Sequence, residues 1–337
     1  MPVKVARRRK LHQARSHFTL ESIDFVWQST VPEARRLHMA PFRATHRMGC
    51  VALVSLALSS CATFPGGHGW GENVTVAPGW SRVGASAFDA VQSPRFWGPL
   101  AAAAVFQVDG WDRKASTWAR SNTPIFGSEQ NAADWIDRLR SASAYVFVVP
   151  VLATPSGAGA KAWVLDKARG VLVDGAAIAV TDEESTLLKS AAARERPNGQ
   201  DTQSMPSSHT SRSAVLTELA QRNVESLNIT PAVRTVLDAG LDLLTYGTAW
   251  ARVESGFHFP SDTLVGMSMG NFNGAFFDGA FMGSDPHASH LSYALTPIPG
   301  WYAAFALCVL NSSKAVAQTR EGRMPKALAS SIWIPRN

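Results

Sequence analysis

The sequence predicts an all-α protein, a bundle of helices, and three observations carry that expectation. Runs rich in Ala, Leu and Val recur over residues 96–108, 128–152 and 161–196, with polar residues at helical intervals. Breaks fall at Thr123-Pro124, Pro150 and Pro155-Ser156-Gly157, where a helix must bend or stop. Thr230-Pro231 then offers an N-cap and a first-turn proline ahead of a further run. With 337 residues, 46% hydrophobic and 17% charged, the chain can bury one sizeable core.

Residues 1–47 form a basic leader around Arg7-Arg8-Arg9-Lys10, either untranslated or a solvated segment, since Met39 and Met48 are further candidate starts. The leader holds 10 Lys and Arg against 3 acids, which leaves 22 against 23 in the rest of the chain. The net charge of +6 is therefore local, and nucleic acid is not an expected partner.

Residues 48–61 read as a signal peptide: an apolar run of about a dozen residues follows Arg43 and Arg47, too short to span a bilayer. Its end, Leu58-Ser59-Ser60-Cys61, resembles the lipobox of bacterial lipoproteins. The resemblance implies cleavage before Cys61, a diacylglycerol on its thiol, and a place on the periplasmic face of the envelope. Ala62 after the cysteine points to the outer membrane. With Cys50 removed and Cys61 lipidated, Cys308 has no partner for an internal disulfide.

Residues 62–85, rich in Gly, Pro and Val, read as a flexible tether to a domain over residues 86–312. Within that domain Trp111, Trp118, Trp135 and Trp163 are expected in the core. The uncharged stretch 141–160 is interrupted by Pro150, Pro155 and two glycines, and residues 262–282 carry Asn271, Asn273 and Asp278. These interruptions favour a helical domain held at a membrane by lipid over one inserted in it. Helices are expected over 210–224 and 230–255, the second with Val233, Leu237, Leu241 and Leu244 as its apolar face. Gly256 would turn the chain, and Asp262 would open the next helix. Residues 290–296 and 301–309, joined by Pro297-Ile298-Pro299-Gly300, read as a small C-terminal β-hairpin, with a buried helix as the other reading of 301–310. Neither His68 nor the pair His287 and His290 has partners at metal-ligand spacing, and residues 313–337 form a basic, exposed tail.

The chemistry is concentrated between residues 189 and 262. Lys189, Arg196 and Arg252 are cations of the kind that stabilise a phosphoryl group in transfer, whose charge spreads over three equatorial oxygens. His209 and His258 suit a proton donor and an attacking nitrogen. Asp262, four residues beyond His258, is near enough to pin its other nitrogen.

The spacings Lys189-x6-Arg196-Pro197, Pro206-Ser207-Ser208-His209 and Arg252-x5-His258-x3-Asp262 together resemble the three-part signature of the type 2 phosphatidic acid phosphatase superfamily. That superfamily includes bacterial class A acid phosphatases, lipid phosphate phosphatases and vanadium haloperoxidases. The resemblance implies His258 as a phosphohistidine-forming nucleophile, Asp262 as its orienter and His209 as general acid. It implies Lys189, Arg196 and Arg252 as the phosphate clamp, helped by Ser207 and the backbone at Ser208. Two positions depart from the pattern, with Ser208 in place of glycine and Ala251 in place of serine. The expected activity is hydrolysis of a phosphate monoester, on a phosphorylated lipid or a small soluble ester, with no metal and no required cofactor. The alternatives are a haloperoxidase that binds vanadate at the same residues, and a catalytically silent phosphate-binding protein.

Overall fold

The computed structural model describes residues 69–283. The leader, the signal peptide with Cys61, the expected hairpin with Cys308, and the basic tail lie outside the described residues.

Among the described residues the chain is all-α, as expected. Its helices are α1 (Trp80–Gln92), α2 (Pro94–Phe106), α3 (Trp111–Asn122), α4 (Glu129–Ala153), α5 (Ala160–Ala192), α6 (Ser208–Glu225), α7 (Pro231–Glu254) and α8 (Pro260–Phe277). Local chemistry sets their starts. Thr230 caps α7 by accepting the Val233 N–H, and Ser128 caps α4 by accepting that of Asn131. No helix among the described residues is long and apolar enough to cross a membrane.

The bundle is organised around α6 and α8, which run parallel and in close contact. Gly266, Gly270 and Gly274 of α8 face Ser207, Ser211 and Glu218 of α6 in the same order. A Cβ at Gly266 would stand 2.7 Å from the Ser207 carbonyl oxygen, and one at Gly270 would collide with that of Ser211. Only glycine allows this approach, and the approach brings both helix N-termini to one end of the molecule.

α6 is buried along nearly all its length although much of it is polar. Hydroxyl pairs to neighbouring helices resolve that conflict: Ser211 with Ser185 of α5 (2.8 Å), Ser213 with Ser143 of α4 (2.9 Å), and Thr217 with Thr245 of α7 (2.7 Å). Each such pair satisfies groups that would otherwise cost about 1–3 kcal/mol buried alone. The Ser213–Thr248 and Thr217–Thr245 contacts run α7 antiparallel to α6, so the C-terminal end of α7 meets the start of α6.

Three expectations are corrected. The stretch read as a tether is folded from Gly69 onward. Trp70 is buried against Val151, Val173 and Met282, and its indole N–H donates to Asn223 (2.6 Å). A Gly-rich sequence hides this because one aromatic anchor suffices to fix it. Trp135 and Trp163 are substantially exposed, and among the described residues the buried tryptophans are Trp70 and Trp250. On α7 the expected apolar face divides: Leu241 is buried, whereas Val233 and Leu237 near the helix start are exposed, since the neighbouring helices cover only its later turns.

Candidate active site

Four helix ends and two loops converge at one end of the α6–α8 pair. Lys189 comes from the last turn of α5, and Arg252 from the last turn of α7. Cations are favoured at those C-termini by the helix dipoles. His209 stands in the first turn of α6, just after the cis Met205–Pro206 bond. His258 lies in the turn between α7 and α8. That turn is made by Gly256 at φ +71, where a Cβ would press on Arg120.

His258 is 1% exposed and held from both sides. Its Nδ1 lies 2.5 Å from the Ser204 carbonyl oxygen, which can only accept, so the ring proton sits on Nδ1. Its Nε2 is therefore the nitrogen with the free lone pair, and it accepts from the Arg252 guanidinium at 3.0 Å. Burial, with the charges of Arg252 and Lys189, drives the imidazole pKa well below its usual range, against the pull of the Ser204 carbonyl. The ring is thus neutral at pH 7.

The expected direct contact between Asp262 and His258 is not what orients the ring. Asp262 occupies the third position of α8, fully buried, and its carboxylate accepts from Ser204 Oγ (2.5 Å), from the Phe259 N–H (2.8 Å) and from Arg194 (2.6 Å). Asp262 reaches His258 through Ser204, whose hydroxyl it holds and whose carbonyl holds the ring. The Phe259 bond ties down an amide at the start of α8, and that local demand turns the carboxylate away from the histidine.

The three expected cations share one field. Phe257 contacts two of them, with Arg252 4.4 Å and Arg196 5.4 Å from its ring centroid. Lys189 Nζ donates to the Gln203 carbonyl (2.7 Å), and Arg196 pairs with Asp201 (2.6 Å). Burial, then Arg196 and Arg252, push the Lys189 ammonium down to about 8. Burial and Arg196 push the Arg252 guanidinium down to about 9. Arg252 is buried, and its Nε–H has no hydrogen-bond partner among the described residues. His209 feels the same cluster: burial, followed by Arg252, Arg140, Lys189 and Arg196, lowers its pKa to about 3. The two imidazoles thus share one cationic surrounding.

Two of the expected phosphate ligands differ in setting. The Ser207 hydroxyl is buried and accepts from Thr210 Oγ1 (3.0 Å), which places it in the fold rather than on the open side. Ser208 is the first residue of α6 and partly exposed, and its φ is not positive. No left-handed backbone is needed there, so serine fits where the signature has glycine. The α6 hydrogen-bond ladder opens with Ser211 N–H to the Ser207 carbonyl, which leaves the amides of Ser208, His209 and Thr210 at a helix start.

Sequence reasoning missed Arg194, Asp112, Ser204 and Phe257. Arg194 bridges Asp262 (2.6 Å), Asp112 (2.6 Å) and Ser261 Oγ (2.8 Å) and lies over the Phe259 ring at 4.2 Å. Buried Asp112 in turn accepts the Ser261 N–H at the start of α8 (2.9 Å). Arg194 is two residues from Arg196, which was the one available signal. Nothing local marks Asp112, whose partner lies 149 positions away. Among the described residues no group of three or more His, Cys, Asp or Glu could hold a metal.

No protein-family model matches the chain, and no curated protein matches it. Among solved structures it is similar to the first transmembrane PAP2 type phosphatidylglycerolphosphate phosphatase from Bacillus subtilis, at 20% identity and a TM-score of 0.42, over 57% of this chain and 95% of that one.

Proposed function

We propose that the chain is a phosphoric ester hydrolase that works through a phosphohistidine at His258. The observation that carries this reading is the state of His258. It is a buried, neutral imidazole whose proton is fixed on Nδ1 and whose Nε2 lone pair is turned to a guanidinium within a crowd of cations. Arg196 and Arg252 add to burial in lowering the proton affinity of Lys189, and Arg196 does the same to Arg252, so an oxyanion placed among them relieves that repulsion.

In the first step His258 Nε2 attacks phosphorus, an N–P bond forms and the ester P–O bond breaks. His209, as imidazolium, gives its proton to the departing alkoxide. In the second step water attacks phosphorus, His209 takes a proton from it, the N–P bond breaks and phosphate leaves. His209 must be protonated to begin; burial first, and then the cations, lower its pKa in the free protein, and a dianion placed among Lys189, Arg196 and Arg252 offsets the cations' share. Substrate binding and arming of the acid are then one event. The Ser204 carbonyl stabilises the positive charge that develops on the attacking ring.

The substrate class is a phosphorylated lipid or a small soluble phosphomonoester. The proposal retains Cys61 as the lipid attachment point at the periplasmic face; radiolabelled palmitate should enter the wild-type protein and not Cys61→Ser. Phosphate release from p-nitrophenyl phosphate, glycerol 3-phosphate and phosphatidic acid in detergent micelles tests the activity. Turnover of at least one ester by wild type, lost in His258→Ala, is expected. Equal turnover by both proteins would overturn the nucleophile assignment.

A further inference from the structure

A cavity of about 180 Å³ opens beside the start of α6, lined by Arg140 and Ser143 of α4, Asp182 of α5, and Ser208, His209 and Arg212 among the α6 residues. It shares His209 and Ser208 with the cationic cluster but is lined by none of Lys189, Arg196, Arg252 and His258. A cavity of this order holds a group of about six heavy atoms.

Its place follows from the proposed reaction, on which this inference rests. In an in-line displacement the attacking nitrogen and the departing oxygen stand on opposite sides of phosphorus. The departing oxygen faces the general acid, so the alcohol part of the substrate lies on the His209 side, where this cavity is.

The charge on its walls is asymmetric, with two guanidiniums and one carboxylate. Arg212 is neutralised by Asp182, at 2.8 Å, both groups more than a third exposed. Arg140 is exposed and forms no hydrogen bond or ion pair with another described residue. Its charge nevertheless reaches both Asp182 and His209. Ser143 and Ser213, bonded to each other at 2.9 Å, close the wall between α4 and α6 without offering a free carboxylate. We infer that this cavity is a leaving-group subsite that selects phosphomonoesters whose alcohol carries a second anionic group, with Arg140 as the ligand of that group.

Two esters of nearly equal size isolate the effect. 3-Phosphoglycerate loses an alcohol bearing a carboxylate, and glycerol 3-phosphate loses a neutral one. Wild type is expected to favour 3-phosphoglycerate by about tenfold in kcat/KM, the worth of one charge-assisted contact at a partly open site. Arg140→Gln should bring the ratio close to one, and Arg140→Glu should invert it. A wild-type ratio near one, or a ratio that neither substitution moves, overturns the subsite. Calorimetric binding of both esters to His258→Ala reads the same preference without turnover. Preferential binding by a protein that hydrolyses neither of these esters, nor p-nitrophenyl phosphate or phosphatidic acid, would keep the subsite and sink the phosphatase. Hydrolysis of both with equal efficiency would keep the phosphatase and sink the subsite. Absence of binding, together with no turnover of these esters, p-nitrophenyl phosphate or phosphatidic acid, would overturn the two together.

Discussion

The two ends of the parallel α6–α8 pair carry opposite surpluses of charge and resolve them by different chemistry. At the far end Glu218 meets Arg95 (3.2 Å) and Arg222 (3.0 Å), Arg222 also reaches Asp278 (3.2 Å), and Arg95 pairs with Asp242. The carboxylates left over there have raised proton affinities. Burial raises Glu225 to about 7 and Asp238 to about 6, and raises Asp174 well above its ordinary value, helped by Asp278. At the near end the surplus is cationic, and Asp112 and Asp262 are committed to Arg194. A guanidinium cannot discard its charge as a carboxyl group can. The far end thus offsets its surplus by raised carboxylate proton affinities, whereas the near end keeps a positive charge of the kind an anion would stabilise.

Substituting one arginine at each end should break that comparison most sharply. Arg252→Ala should lower kcat/KM for p-nitrophenyl phosphate by about a hundredfold or more, the usual loss when a transition-state charge partner is removed, and leave thermal stability nearly unchanged. Arg222→Ala should do the reverse. It strands the buried carboxylate of Asp278 and leaves Glu218 with Arg95 alone, at a cost of about 3 kcal/mol or more in denaturant unfolding, with kcat/KM within about twofold of wild type in any preparation that folds. If Arg222→Ala were as inactive as Arg252→Ala while still folded, the division between the ends would fail.

Those two outcomes also bear on what the sequence discloses. The motif spacings made His258, His209 and the three cations legible, because each sits on or beside a helix end that capping and turn residues already mark. Helix α7 was legible to within a residue for the same reason, through Thr230-Pro231 and Gly256. The pathway from Asp262 to His258 was not legible, since it runs through a main-chain carbonyl that any residue at position 204 would supply. Nor was the burial of Trp70 or the exposure of Trp135 and Trp163, which depends on which helices become neighbours rather than on local pattern.

Effects of pH sharpen the contrast further. Above about pH 8 Lys189 loses its proton and the near end loses a charge, so kcat/KM should fall on the alkaline side with a midpoint near 8. Lys189→Arg, which stays charged, should move that limb upward by more than one pH unit. The far end responds in stability instead. Glu225 has a folded pKa of about 7, above its ordinary 4.5, so its contribution is fully present below pH 4.5 and is lost as pH rises through 7. Glu225→Gln should flatten the fall in Tm between pH 5 and 8 without moving the alkaline limb of activity.

A smaller effect is expected where α5 hands the chain to the site. Ala193 ends that helix at φ 41, a left-handed conformation that glycine adopts without strain. Ala193→Gly should stabilise the fold by up to about 1 kcal/mol with kcat/KM within twofold of wild type, as read by urea denaturation and phosphate release.

The central claim is that phosphorus passes through His258 Nε2. Incubating the protein with a 32P-labelled phosphomonoester it turns over, and quenching within milliseconds in detergent at alkaline pH, tests it directly. The account predicts an alkali-stable, acid-labile label on the peptide that contains His258, and none in His258→Ala. Label on His209 instead, or sustained hydrolysis with no labelled protein at any time point, would contradict it.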